Sequence, residues 1–160
     1  MIEMELTGVR VELPTNQPIV LLRERGGERY LPIWIGAAEA AAIALSLQGV
    51  VTPRPMTHDL LKNIISDLHA HVQRIVVCAL KENTFYATIH ITVGDQALAV
   101  DARPSDAIAL ALRTQSPIFV EETVIQNARS VESGKESMDL GRLQKWLEGL
   151  SDEELGKYKM

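Results

Sequence analysis

The sequence is short of cysteine, and this shortage limits the disulfides and metal sites that it can form. Cys78 is the only cysteine in 160 residues, so no internal disulfide is possible. It lies in the apolar run 75–80, where a buried inert thiol is expected rather than a nucleophile. One cysteine and four scattered histidines (His58, His69, His71 and His90) do not provide the ligand spacing of a structural zinc site.

The sequence also lacks long hydrophobic runs. No apolar stretch approaches the roughly 18 residues that a membrane-spanning helix needs, and no basic and apolar leader opens the sequence. We therefore expect a cytoplasmic protein with no membrane partner.

Positive charge is scarce, which argues against a simple polyanion-binding surface. The formal net charge is −5, so a nucleic-acid partner would need a local basic patch that acts against the overall field. Gly26-Gly27 is not followed by the Gly-Lys-Ser/Thr of a phosphate-binding loop, and no serine sits in a glycine-flanked nucleophile elbow.

Hydrophobic periodicity divides the chain into strands and helices. The helix predicted at residues 57–70 has a single apolar stripe, which is typical of an amphipathic surface helix. Two other helices, at 37–48 and 104–114, are apolar on every side and must be covered all round. Polar composition predicts a loop over residues 122–138, with short C-terminal helices beyond it. Strands are predicted at residues 2–13, 18–23, 29–35, 74–80, 84–93, 97–102 and 117–120.

The chain resembles itself at an offset of 67 residues. Gly27-Glu28 falls on Gly94-Asp95, Glu39 falls on Asp106, and four Ala or Leu positions of the two apolar helices coincide. This predicts a duplicated β-β-β-α unit over about 6–47 and 73–114, joined by the amphipathic helix. The expected fold is α+β with sheet, helix and sheet layers. A homo-oligomer, with a dimer favoured, would also cover an apolar helix face.

Two polar clusters lie where helices are predicted to begin. Arg54, His58 and Asp59 surround the start of the connecting helix, and a second cluster of Asp101, Arg103, Ser105 and Asp106 precedes the second apolar helix. Free N–H groups at a helix start favour an anion such as phosphate, and arginine binds phosphate with two donors. Carboxylates can hold a hard divalent cation, and histidine can transfer a proton near neutral pH. These groups together suit phosphodiester hydrolysis.

A structural interpretation of the same residues stays open. Asp59 and Asp106 lie in first turns, where acids complement the helix dipole, and Thr57 and Ser105 are typical capping residues. Arg103 could pair with Asp101 or Asp106 to neutralise a partly buried corner, and His58 could be a solvated surface histidine.

Three segments resemble the bifunctional nuclease family, first described as a bacterial and plant domain of unknown function. They read LPIWIG at 31–36 followed by Glu39-Ala40, RPMTHDLL at 54–61 and DARPSDAIALA at 101–111. On this resemblance residues 1–130 form the family domain, and residues 131–160 form a loop and helical tail. The family fold implied is a duplicated β-β-β-α arrangement, which agrees with the internal repeat.

The resemblance implies a nuclease that hydrolyses RNA and DNA without strong sequence specificity. The residue argument assigns Asp101, Asp106 and Asp59 as base or metal-binding carboxylates and His58 as acid or base. Arg54, Arg103 and Ser105 are assigned to substrate phosphate, and Mg²⁺ or Mn²⁺ is the expected cofactor, held by Asp101 and Asp106. The alternative is a non-catalytic oligomeric module that binds a ligand or a protein.

Overall fold

The order of strands and helices repeats the same unit twice along the chain. The computed structural model describes residues 1–12 and 16–133. Each unit is three strands followed by a helix, α2 connects the units, and a short strand and a helix follow. The elements are β1 (Ile2–Glu12), β2 (Gln17–Glu24), β3 (Tyr30–Trp34), α1 (Ala37–Leu47), α2 (Thr57–Asp67), β4 (Ala70–Lys81), β5 (Thr84–Val93), β6 (Gln96–Ala102), α3 (Pro104–Thr114), β7 (Ile118–Val120) and α4 (Glu122–Ser133).

All seven described strands belong to one sheet with the order β3-β2-β1-β7-β4-β5-β6. The β4–β7 pair is parallel and the others are antiparallel. The α+β class and the duplicated order are therefore confirmed. The layered prediction needs one change, because the two three-stranded halves are not separate sheets. β7 pairs with β1 on one side and β4 on the other, and so joins the halves into a single sheet.

The apolar helices α1 and α3 pack on different halves of the sheet and on each other. α1 lies on β1 and β2, and α3 lies on β4 and β5. Five consecutive residues of α3, 107–111, are at most 1% exposed, so the expectation that this helix is covered all round is confirmed. α1 does not meet it, since Ala37, Ala38 and Leu47 are exposed. The two units therefore share the same order of strands and helices, but the helix of the second unit is more completely buried than the helix of the first.

Local backbone signals explain several features of the strands, although one predicted boundary is wrong. The connecting helix α2 ends at Asp67 and β4 begins at Ala70, four residues before the predicted start. The register of β1 against β2 shifts between Leu6 and Gly8, as at a β-bulge. Val93 pairs with Gln96 across the two-residue turn Gly94-Asp95, and Gly94 has a φ of 57°, which glycine adopts without strain. Pro32 lies in β3, an edge strand, where a missing N–H costs no ladder hydrogen bond.

The loop predicted over residues 122–138 is wrong for residues 122–133, which form α4. Val124 and Ile125 are buried and Ala128 packs against the same core, so a short apolar stripe holds the helix although its composition is polar. Arg29 adds a polar tie, since it donates to Glu24 (2.8 Å) and to Glu122 at the start of α4 (2.6 Å). The tail helices predicted beyond residue 138 lie outside the described residues.

None of the helices within the described ranges combines the length and the apolar character that crossing a membrane would require.

Candidate active site

The two polar clusters predicted from sequence meet through one hydrogen bond. His58 lies in the first turn of α2 and Asp106 lies in the first turn of α3. His58 Nε2 is 2.9 Å from Asp106 Oδ1, and the His58 side chain is only 12% exposed. α2 packs directly on α3, so the contact depends on the docking of two helices whose starts are 47 residues apart. Interpretation of His58 as a solvated surface residue is therefore wrong.

Arg103 extends this pair to the start of α1. Its Nε donates to Asp106 Oδ2 at 2.9 Å, and its Nη1 lies 3.0 Å from Glu39 Oε1. Glu39 was not among the predicted site residues. The sequence does contain a signal for Glu39, because the internal repeat aligns it with Asp106. In the structure the two equivalent helices, α1 and α3, pack together. One guanidinium thus bridges the two acids that duplication placed in equivalent positions.

The hydrogen bonds of the cluster determine the protonation state of Asp106. Burial raises the pKa of Asp106, but its bonds from Arg103 and His58 outweigh that effect and hold the pKa below its ordinary value. Asp106 therefore stays ionised at neutral pH and accepts the Nε2 proton of His58. A neutral imidazole that is protonated at Nε2 has its basic lone pair on Nδ1.

Asp59 occupies a different environment from Asp106. Its Oδ1 accepts a bond of 2.7 Å from Arg113 Nε, and its Oδ2 accepts the Met56 N–H at 3.0 Å. Burial raises the pKa of Asp59, whereas the bonds from Met56 and Arg113 lower it by more. With both oxygens engaged in holding the start of α2, Asp59 is better explained as a structural residue than as the catalytic residue predicted from sequence.

Arg113, at the end of α3, is a residue that sequence reasoning missed. Its side chain is 7% exposed and ties three helices together. Besides the bond to Asp59 on α2, its Nη1 donates to Ala109 O at 2.9 Å within α3, and its Nη2 donates to Ala42 O on α1 at 3.0 Å. This arginine holds in place the helices whose starts form the cluster.

Asp101 does not join the cluster. It lies at the end of β6 opposite Thr88 and makes no hydrogen bond or ion pair within residues 1–12 and 16–133. Its strand neighbours Val100 and Ala102 pair with Ile89 and Ala87, two core residues on the face that packs against α3. Because side chains alternate along a strand, Asp101 points to the opposite face of the sheet.

The two other predicted substrate ligands have different surroundings. Arg54 is exposed on the connector before α2, and its carbonyl oxygen accepts a hydrogen bond from Thr52 Oγ1 at 2.7 Å. Ser105 is 6% exposed in the first turn of α3, and the start of that helix has no side-chain cap. The predicted capping roles of Thr57 and Ser105 are wrong, since Met56 and Arg103 occupy the N-cap positions.

The described residues form no preassembled metal cage. Nowhere in the described part of the chain do three or more histidine, cysteine, aspartate or glutamate side chains come together in a way that could hold a metal ion. Both oxygens of Asp106 are bonded to other side chains, and Asp101 lies on the other face of the sheet. A Mg²⁺ or Mn²⁺ ion here would depend on water and substrate phosphate for most of its ligands, as Mg²⁺ often does.

The lowered pKa values of Asp59 and Asp106 predict a loss of stability in acid. A carboxyl group with a lowered folded-state pKa stabilises the fold above its unfolded pKa, and this contribution disappears as pH falls through the folded value. With an ordinary value of 3.8 for both, the free energy of unfolding should fall as the pH drops below about 4.

Urea titrations from pH 6 to pH 2.5 measure this dependence. The double variant Asp59→Asn/Asp106→Asn should lose less stability across the range than the wild type, whereas Asp67→Asn, on the exposed end of α2, should follow the wild type. If the free energy of unfolding fell equally with pH for all three proteins, Asp59 and Asp106 would not be the source of the acid sensitivity.

The sequence of this chain is similar to a known protein family and to several individual proteins. The family model described as the bifunctional nuclease domain matches residues 20–133. An uncharacterized protein of Mycobacterium tuberculosis (strain H37Rv) is 52% identical over 126 residues, which cover 79% of this chain and 75% of the relative. Bifunctional nuclease 2 of Oryza sativa subsp. japonica is 29% identical, over 78% of this chain and 40% of the plant protein. Bifunctional nuclease 2 of Arabidopsis thaliana is also 29% identical, over 77% and 40%.

Proposed function

We propose that this chain, which belongs to the bifunctional nuclease domain family, hydrolyses phosphodiester bonds of RNA and DNA without strong sequence specificity. The observation that carries the proposal is the contact of His58 with Asp106, 2.9 Å apart at the meeting of two helix starts. A histidine oriented by a carboxylate is a competent acid or base near neutral pH, and helix starts favour a phosphate.

His58 is the proposed proton-transfer group. Asp106 holds its Nε2–H, so Nδ1 accepts a proton from the attacking water while the water oxygen forms a bond to phosphorus. The bond from phosphorus to the leaving oxygen breaks, and the departing oxygen takes a proton from solvent or from the imidazolium. Proton transfer by a positioned side chain typically raises the reaction rate by a factor of about 10²–10⁴.

Arg103 and Arg54 are the proposed phosphate ligands. Arg103 uses Nε and Nη1 on Asp106 and Glu39, which leaves Nη2 for a phosphate oxygen, and its side chain is 65% exposed. Arg54 is exposed next to the start of α2 and can approach the same phosphate from the other helix. A guanidinium holds phosphate with directed donors and keeps its charge at every relevant pH.

The charge of the cluster favours a role for a divalent cation. Glu39 and Asp106 carry two negative charges against the one positive charge of Arg103, so an incoming phosphate would be repelled unless further positive charge arrives. Arg54 supplies part of it. A Mg²⁺ or Mn²⁺ ion that enters with the substrate would supply the rest and would stabilise charge on the phosphate oxygens.

Cleavage of labelled oligonucleotides tests the proposal. Purified protein is incubated with single-stranded RNA, single-stranded DNA and duplex DNA, in Mg²⁺, in Mn²⁺ and in EDTA. We expect cleavage of both RNA and DNA at many positions, faster with either metal than in EDTA. Arg54→Ala should raise KM several-fold with a smaller change in kcat, because the arginine binds substrate in ground and transition states alike. Absence of cleavage under every condition would overturn the proposal.

A second function, a non-catalytic oligomeric binding module, is favoured by a separate observation. The apolar residues Leu60 and Ile64 of α2 and Leu68 at its C-terminal end are 48–66% exposed, and the formal net charge is −5. An uncovered apolar helix face on an acidic protein suits a protein or ligand partner more than a polyanion. Purified protein that neither binds nor cleaves RNA or DNA, with or without Mg²⁺ or Mn²⁺, would support this alternative. The cytoplasmic location stays a prediction.

A further inference from the structure

The two edges of the sheet differ in how they are protected. The edge strand β3 is five residues long and contains Pro32, which blocks further pairing. The other edge, β6, is seven residues long, contains no proline or lysine, and is uncharged from Gln96 to Val100. Every residue of β6 from Gln96 to Asp101 is exposed, so both faces of the strand are uncovered. Such an edge is a template for pairing with another strand.

The hairpin determines which backbone groups of β6 are free. In a two-residue hairpin the pair beside the turn, here Val93 and Gln96, is hydrogen-bonded, and bonded and non-bonded pairs then alternate. The backbone groups of Gln96, Leu98, Val100 and Ala102 therefore point to β5. Those of the remaining residues, Ala97, Ala99 and Asp101, point to the open edge as three N–H donors and three C=O acceptors.

We propose that β6 pairs with β6 of a second copy of this chain, antiparallel about a two-fold axis at Ala99. Ala99 is the middle residue of the strand, so this register alone pairs it along its full length. Ala99 then faces its own copy, and Ala97 faces Asp101 in each direction. All six edge-facing groups of each strand are satisfied, and the two sheets continue as one across the dimer axis.

The side chains favour the same register. This register places Leu98 opposite Val100 of the second copy. Both side chains are more than 40% exposed and lie on the same face of the sheet as the hydrophobic core, so the pairing would bury them against each other. It also sets Asp95, just before the strand, against Arg103 of the second copy, just after it. A register centred on Leu98 would instead set Asp95 against Asp101, and like charges directly opposite are unfavourable.

The size and position of this interface have two consequences. A single strand pair is smaller than a standard interface of about 1,600 Å², so we expect a dissociation constant on the order of micromolar. The interface ends at Arg103, which also contacts Asp106 and Glu39. Dimer formation would therefore bring a carboxylate from the second copy to the edge of the candidate active site.

Cysteine cross-linking tests the register directly. In a Cys78→Ser background of the full chain, Ala99→Cys places two thiols at the axis, where directly opposed Cα atoms lie about 5.5 Å apart and a disulfide can close. Ala97→Cys is the matched control, an exposed alanine on the same face of the same strand. Its copy lies four residues along the pair, about 14 Å away. We expect rapid oxidation to a covalent dimer only for Ala99→Cys.

Sedimentation over a range of concentrations provides the second readout. Asp95→Lys should raise the dimer dissociation constant at least about tenfold by opposing Arg103, while Glu28→Lys, exposed near the opposite edge of the sheet, should leave it unchanged. A monomer at 100 µM, equal cross-linking of the two cysteine variants, or a dimer that dissociates with Ile64→Glu on α2 but not with Asp95→Lys would each overturn the proposal. The result is independent of nuclease activity.

Discussion

Replacing His58 with alanine is expected to lower kcat/KM for RNA and DNA cleavage by about 10²–10⁴, while the protein stays folded. The side chain is held by Asp106 at 2.9 Å, and no other described histidine contacts a carboxylate so closely. Loss of the imidazole removes both the proton acceptor and the group that Asp106 orients. Initial rates on a labelled RNA and a labelled DNA measure the effect, with thermal melting to confirm the fold.

The matched controls separate catalysis from general damage. His71→Ala removes an exposed histidine of β4 and should leave the rates unchanged. Asp106→Asn should lose nearly as much rate as His58→Ala, because an amide can donate as well as accept and so does not fix the imidazole tautomer. The double variant His58→Ala/Asp106→Asn should then be little slower than either single variant, since residues that act as a unit are not additive. Full additivity would show that the two residues act separately.

Replacing Arg113 with alanine is expected to lower the free energy of unfolding by about 2–4 kcal/mol, the largest stability effect among the charged residues. The change leaves Asp59 without its cation and removes donors from two helix carbonyl groups, those of Ala42 and Ala109. The three helix starts should loosen together. Urea unfolding measures the loss, and kcat should fall as well because His58 and Asp106 lie on two of the helices tied by Arg113.

The exposed arginine at position 25 supplies the control for this prediction. Arg25 pairs with Glu3 at 2.8 Å but is 66% exposed, and surface ion pairs contribute only about 0–1 kcal/mol. Arg25→Ala should therefore cost far less stability than Arg113→Ala. Arg113→Lys should recover part of the lost stability. A lysine ammonium can bind one of the three acceptors well, but it cannot reach all three as the planar guanidinium does. Equal destabilisation by Arg25→Ala and Arg113→Ala would refute the structural role of Arg113.

Local chemistry was enough to predict most of the secondary structure. Gly94-Asp95 predicts the β5–β6 hairpin and Pro104 predicts the start of α3, because each imposes a backbone geometry through neighbouring residues alone. The internal repeat predicts the β-β-β-α order. The joining of the two halves into one sheet was not predictable in this way, since it depends on β7, three residues that pair with strands far away in the sequence.

The candidate site was predictable only in part, for a similar reason. His58 and Asp106 stand out in the sequence because each lies at a helix start, but their contact depends on the docking of α2 on α3. Arg113 reads as an ordinary basic residue in a last turn, and only the packing of three helices reveals its partners. Asp101 was assigned from its closeness in sequence to Arg103, whereas the alternation of a strand turns its side chain away.

One comparison tests the central claim most directly: the chromatographic profile of nuclease activity for the wild type and His58→Ala, purified in parallel. The proposal predicts that RNA and DNA cleavage follow the wild-type protein peak fraction by fraction and that the same fractions of the variant are at least about 100-fold less active. Cleavage that is equal in both preparations, or that elutes apart from the protein, would show that the His58–Asp106 pair does not hydrolyse nucleic acid.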